Sequence, residues 1–149
     1  MSQLIDDYRL LIADVYEVAG LSRRTAEDLA VVVGQTAAKW HVLSVLSEEA
    51  LSVAASARRL GLARQSVQRV VNHLRADGLV RLQPDPTDRR APLVRLTEPG
   101  REVLAELQAA SEQDRARLLG ASGLTAADLR QARSTLRTLA GALRDAASP

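Results

Sequence analysis

Residues 51–100 read LSVAASARRLGLARQSVQRVVNHLRADGLVRLQPDPTDRRAPLVRLTEPG, and the rest of the chain is organised around them. Ser52 suits the N-cap of a short helix, VAASARRL, and Gly61 stops it. Leu62 and Ala63 make a turn, Arg64 to Asp77 form a second helix, and Gly78 ends it. On a 3.6-residue wheel Val67, Val70, Val71 and Leu74 share one side. Gln65, Arg69 and Asn72 lie opposite, with Gln68 flanking them. In Leu79–Gln83 and Pro92–Leu96 apolar and polar residues alternate, the pattern of a two-stranded hairpin. The intervening Pro84–Ala91 loop is stiffened by two prolines and carries Arg89 and Arg90, with Asp88 placed to hold the tip by pairing with a nearby Arg.

A polar helix face beside an Arg-tipped hairpin suits a DNA duplex. Gln and Arg can make bidentate contacts to adenine and guanine edges in the major groove. The helix N-terminus, with its dipole and free N–H groups, suits a phosphate. The bland alternatives are an amphipathic helix with a solvated face and, for Arg89 and Arg90, a solvated loop. Charge distribution favours the first reading. The net charge is only +2, but residues 1–57 carry −4, residues 58–101 carry +6, and residues 102–149 are neutral. The basic excess coincides with the opening stretch, as expected of a nucleic-acid face. One Lys stands against 19 Arg, so Arg richness alone argues less than its location.

Composition bounds the rest. At 149 residues, one compact domain or one domain with a long helical extension is expected. Apolar residues make up 46% and Phe is absent, so the core must be built of Leu, Val and Ala, which favours helices. No run approaches the ~20 apolar residues of a membrane span, and MSQLIDDYR does not resemble a signal peptide. A cytoplasmic location is expected. Without Cys there is no disulfide framework or thiol sensor, and two His offer no zinc set. No cofactor or metal is called for.

Outside the central stretch, Leu4, Tyr8, Leu11, Ile12, Val15, Ala19, Ala26, Leu29 and Val33 recur at helical spacing. This predicts one helix over 3–33, or two parted near Gly20–Ser22. Gly34 ends it, and Thr36 caps a helix whose inner side is Val42, Leu43 and Leu46. Trp40 reads as core packing or as the wall of a ligand pocket, and His41 as a partly exposed helical residue. Thr97 caps a further helix through Val103, Leu104, Leu107, Ala110 and Leu118, broken at Gly120–Gly123. Thr125–Asp128 is a capping signature ahead of a stripe of Leu129, Ala132, Leu136, Leu139 and Leu143. Those apolar faces exceed what a small core covers, so pairing with a second subunit is expected. The final Ala-Ser-Pro is expected to fray. There are no internal repeats, Gly-rich phosphate loop or nucleophile elbow. An enzyme is disfavoured, since His41, His73 and scattered carboxylates form no catalytic spacing. A winged helix that binds protein rather than DNA is the alternative, disfavoured by the basic middle third.

Three segments are similar to one known family. Asp77-Gly78-Leu79-Val80 leaves the second helix, Asp85-Pro86-Thr87-Asp88-Arg89-Arg90 forms the loop, and Leu96-Thr97-Glu98-Pro99-Gly100-Arg101 enters the next helix. Together with Thr36–Leu43 they resemble the MarR (multiple antibiotic resistance regulator) family of bacterial winged helix-turn-helix transcription factors. The resemblance implies a mainly α fold of about six helices with a small β-wing. It implies a DNA-binding part over 36–100 and a dimerisation part over 1–33 and 101–147. It also implies a homodimer on a pseudo-palindromic operator of double-stranded DNA, usually as a repressor, released by a small, commonly aromatic, effector. By position, Arg64, Gln65, Ser66, Gln68 and Arg69 would meet the major groove. Arg89 and Arg90 would be wing contacts, braced by Asp88. Trp40, His41, Tyr8 and Tyr16 are the candidates for an effector pocket. Family members that sense oxidants through Cys are no guide here.

Overall fold

The computed structural model describes residues 1–147, so the expected fraying at Ser148 and Pro149 lies outside the described residues. Two compact units are present, residues 1–111 and the segment from Glu112 onward. The first holds α1 (Ser2–Val32), α2 (Ala37–Glu48), β1 (Leu51–Ser52), α3 (Val53–Leu60), α4 (Arg64–Ala76), β2 (Val80–Gln83), β3 (Leu93–Leu96) and the start of α5 (Glu98–Ser122). The second holds the rest of α5 and α6 (Ala126–Ala147).

Helix α1 is continuous through Gly20, which settles the choice left by the periodicity. A glycine costs a helix only ~1 kcal/mol, and the flanking residues keep the helical step. Its 31 residues reach roughly 46 Å. It ends where Gly34 adopts φ +72° and Gln35 N–H donates to Ala30 O at 2.9 Å. Helix α2 then leaves at 98° to α1. Two acceptors cap it: Thr36 Oγ1 takes Lys39 N–H at 3.2 Å, and Glu27 Oε2 on α1 takes Ala37 N–H at 3.3 Å.

The core of the first unit lies under α2, α4, the sheet and early α5, with Leu43, Val67, Leu74, Val94 and Leu107 fully buried. From α1 only Ala26 and Ala30 are buried, small enough to let the helix backbones approach. Trp40 is 3% exposed, so core packing accounts for it.

The expected two-stranded hairpin is present as β2 paired with β3, and the sheet adds a third strand to it. It has three antiparallel strands in the order β1-β3-β2, with Leu51 opposite Val94 and Ser52 opposite Leu93. A two-residue strand contributes backbone pairing but no alternation, so periodicity misses it. Ser52 serves twice, pairing in β1 and accepting Ala55 N–H at 3.1 Å as the N-cap of α3. The other strands start one residue later than expected, at Val80 and Leu93. Leu82 is 38% exposed.

Helix α5 also departs from expectation. It passes through Gly120 and stops only at Gly123, φ +68°, because Leu118, Leu119 and Ala121 are good helix formers. Its buried residues are Gly100, Leu104, Leu107 and Ser111, whereas Ala110 and Leu118 are exposed. In the second unit, α6 opens on a reciprocal cap. Asp128 Oδ2 accepts Thr125 N–H at 2.8 Å and Thr125 Oγ1–H at 2.6 Å, and Asp128 N–H donates back to Thr125 Oγ1 at 3.2 Å. Those Thr125 bonds, side chain first, hold the Asp128 carboxyl below its usual range. No described residue of α6 is buried, and Leu129, Leu136 and Leu143 are exposed.

Candidate nucleic-acid interface

Helices α3 and α4 meet through a turn fixed by Gly61. At φ +65° it lets Leu62 N–H donate to Ala57 O at 3.0 Å, closing the end of α3 in the manner of a Schellman motif. Ala63 is the N-cap of α4 and makes no side-chain capping bond. The first N–H groups of α4 are therefore not taken up by a cap side chain, and point where an anion would be favoured.

Val67, Val71 and Leu74 of α4 are buried. Arg64, Gln65, Ser66, Gln68, Arg69 and Asn72 are exposed, so the predicted polar face exists as one surface. Gln68 is not idle on it, since its Nε2 donates to Asn72 Oδ1 at 2.9 Å. The pair sits at i and i+4, a spacing that could have flagged it. It orients the Gln68 amide before any duplex arrives.

The wing is braced by two aspartates. Asp85 Oδ1 accepts Thr87 N–H at 2.9 Å and Thr87 Oγ1–H at 2.7 Å. The Thr87 backbone bond, then its side-chain bond, lower the Asp85 pKa, aided by the backbone of Asp88. Asp88 Oδ1 accepts Arg90 N–H at 3.0 Å, and Ala91 N–H donates to Asp88 O at 3.3 Å. Asp88 thus holds the tip through backbone, not through the expected guanidinium pair, because an Asx turn reaches the N–H two residues on. The arrangement leaves Arg89 and Arg90 exposed. Asp85-Pro86-Thr87 is a turn signal of the same kind.

Two further cations lie on the wing strands. Arg81 lies directly opposite Arg95 across β2 and β3. Like charges so placed destabilise a sheet, and Arg95 is steadied by donating Nε–H to Gln83 Oε1 at 3.0 Å. Arg81 is exposed, whereas Arg95 is half-buried and lines a hollow with Glu48, Glu49 and Gln108.

The wing root is locked to the end of α4. Gly78, φ +75°, turns the chain out of the helix. Its carbonyl accepts Thr97 Oγ1–H at 2.6 Å, Leu79 O accepts Thr97 N–H at 3.1 Å, and Thr97 Oγ1 caps α5 by taking Gly100 N–H at 3.2 Å. Gly100 packs so tightly that a Cβ there would overlap the Leu79 carbonyl oxygen. This explains why Asp77-Gly78-Leu79 and Thr97–Gly100 occur together.

The effector candidates do not converge. Trp40 is inside the core, Tyr8 is 39% exposed and Tyr16 is 75% exposed. His41 lines an open groove, about 390 Å³, between α1, α2 and α3, with Arg23, Glu27, Ala37, Arg59 and Leu62 among its walls. Burial first, then the Arg23 charge, lower the His41 pKa, against a raising effect of Glu27.

A helix-turn-helix whose second helix shows a polar face, beside a braced basic hairpin, defines a winged helix-turn-helix DNA-binding protein. The MarR family profile matches residues 33–91, which contain all of these elements up to the wing. An uncharacterised protein of Mycobacterium tuberculosis is 44% identical over 139 residues, covering 93% of this chain and 96% of that one. The transcriptional activatory protein BadR of Rhodopseudomonas palustris is 34% identical over 99 residues, covering 62% of this chain and 57% of BadR. The crystal structure of CouR from Rhodococcus jostii RHA1 bound to p-coumaroyl-CoA superposes with a TM-score of 0.69 at 27% identity, covering 92% and 94% of the two chains. The chain belongs to the MarR family and is a DNA-binding transcriptional regulator.

Proposed function

We propose that two copies of the chain read a pseudo-palindromic operator as a cytoplasmic repressor, acting by binding rather than catalysis. Residues 36–100 meet the DNA, and residues 1–33 and 101–147 pair the two copies. Arg64, Gln65, Ser66, Gln68 and Arg69 enter the major groove, and Arg89 and Arg90 take the backbone or minor groove. The observation that carries this reading is the single exposed polar face of α4 with its uncapped N-terminus. The pairing role is supported by the exposed Leu4, Ile5 and Leu10 of α1 and, in the other unit, by the exposed Leu129, Leu136 and Leu143 of α6. Two recognition helices then stand about one DNA turn apart, ~34–36 Å.

A small aromatic or acyl-CoA effector is proposed to release the operator, as a relative that binds p-coumaroyl-CoA suggests. The groove at His41 is the candidate site within the first unit. An effector acts only through its different affinity for the binding and released shapes. A coupling of ~1–3 kcal/mol corresponds to roughly 5–150-fold in operator affinity.

Selection of duplexes from a randomised pool, followed by footprinting and light scattering, tests the reading. The expected result is a two-half-site footprint with half-sites one helical turn apart and a mass twice that of the monomer. A stable monomer, or binding with no sequence preference, overturns it.

A further inference from the structure

One ion pair makes no local sense. Lys39 is the only lysine in the chain and the third residue of α2, where a cation opposes the positive end of the helix dipole. Asp77 is the C-cap of α4, where an anion opposes the negative end. Each charge by itself disfavours its own helix. Yet Lys39 Nζ donates to Asp77 Oδ2 at 2.9 Å, with the side chains 21% and 49% exposed. Two charges at the wrong helix ends, each compensated by the other across 38 residues of sequence, form a tether between α2 and the end of α4.

The position of that tether gives it leverage. Asp77 is followed at once by Gly78 and Leu79, whose carbonyls hold Thr97. The end of α4, the wing root and the start of α5 therefore leave from one point. With 13 residues, α4 is roughly 20 Å long, so a few degrees of swing at Asp77 displace Arg64 and Gln65 by about 1 Å. Hydrogen bonds to base edges weaken steeply with such errors of distance and angle.

We propose that Lys39 and Asp77 are positioning residues for sequence recognition: their ion pair fixes the angle of α4 and the wing against α2, without either side chain having to touch a base. Electrostatics alone makes the opposite prediction for one variant. Asp77→Asn removes a negative charge from a basic neighbourhood, which by charge alone tightens binding to any DNA.

The test compares binding to a duplex selected by the wild-type protein from a randomised pool with binding to its scrambled counterpart. The ratio of the two affinities is expected to fall by roughly two- to fivefold in Asp77→Asn and in Lys39→Met, the scale of a partly exposed ion pair. The exchanged pair, Lys39→Asp with Asp77→Lys, keeps the tether and places both charges favourably for their helices, so it returns the ratio to the wild-type value. An unchanged or raised ratio in Asp77→Asn, or no recovery in the exchanged pair, overturns the proposal. Thermal melts confirm that each variant is folded at the assay temperature. If Asp77→Asn is not, Asp77→Glu carries the test. It keeps the charge but moves the carboxylate by one methylene, and a ratio equal to the wild type refutes positioning.

Discussion

Gly100→Ala is the sharpest test of how the wing is held to the recognition helix. The added methyl overlaps the Leu79 carbonyl oxygen and stands 3.0 Å from its carbon and 3.4 Å from its Cα. All three are backbone atoms, so no side-chain rotation relieves the overlap. Carbon–oxygen contacts settle near ~3.3–3.6 Å, so α5 has to back away from Leu79. That movement stretches the Thr97 bonds to Gly78 and Leu79 and opens the core at Leu104. Overpacking costs ~1–3 kcal/mol when side chains can adjust, and a rigid backbone obstacle places this variant at the upper end, about 3 kcal/mol. For a chain of this size each kcal/mol shifts Tm by ~2–4 °C or slightly more, so a fall of roughly 10 °C is expected in a thermal melt followed by circular dichroism. Gly20→Ala is the control, because nothing lies within 4 Å of a Cβ there. A Gly100→Ala melt within 2–3 °C (about 1 kcal/mol) of the wild type refutes the close approach of α5 to Leu79.

Three further outcomes are expected. Replacing Arg89 and Arg90 with Ala weakens binding to all sequences and lowers the log–log salt slope by roughly 1–2, as measured by anisotropy titrations across salt concentrations. Ser56→Ala raises stability by about 0.5–1 kcal/mol in denaturant melts, because the Ser56 hydroxyl is fully buried with no hydrogen-bond partner. Stability falls as pH drops below the ordinary imidazole value of 6.5. The folded state lowers the His41 pKa, so between the folded and unfolded values the unfolded chain binds more protons, and the loss levels off below the folded value. His41→Gln flattens that dependence in urea titrations between pH 7.5 and about 5.

Much of the central stretch was legible because its signals are local. Val67, Val71 and Leu74 set the inner face of α4, Gly61 and Gly78 set its bounds, and the face left over is the candidate reading surface. The wing was legible from two short alternating runs around a proline-rich loop. What escaped the sequence depends on partners far away or on backbone alone. Strand β1 has only Leu51 and Ser52, too few for a period, and exists because β3 has an edge to offer. Asp88 was expected to seek an Arg side chain, but the nearer Arg90 N–H outcompetes it. Gly120 looked like a break because glycine pairs with Gly123, yet a single weak residue does not stop a helix whose neighbours favour it. Lys39 and Asp77 carry no pattern in sequence, since their meaning appears only when α2 and α4 are side by side. The effector candidates scatter because aromatic character does not mark the groove at His41, which is walled mostly by alanine, leucine and arginine.

Sequence-specific recognition by the exposed face of α4 is the central claim, and Arg69 tests it most directly. The measurement is the affinity of Arg69→Ala for the selected duplex and for its scrambled counterpart, at one fixed salt concentration. A loss of about 1–3 kcal/mol on the selected duplex is expected, with a much smaller loss on the scrambled one and a relaxed preference at one position of each half-site. Equal losses on both duplexes, or an unchanged footprint and affinity, contradict the assignment of α4 as the reading helix.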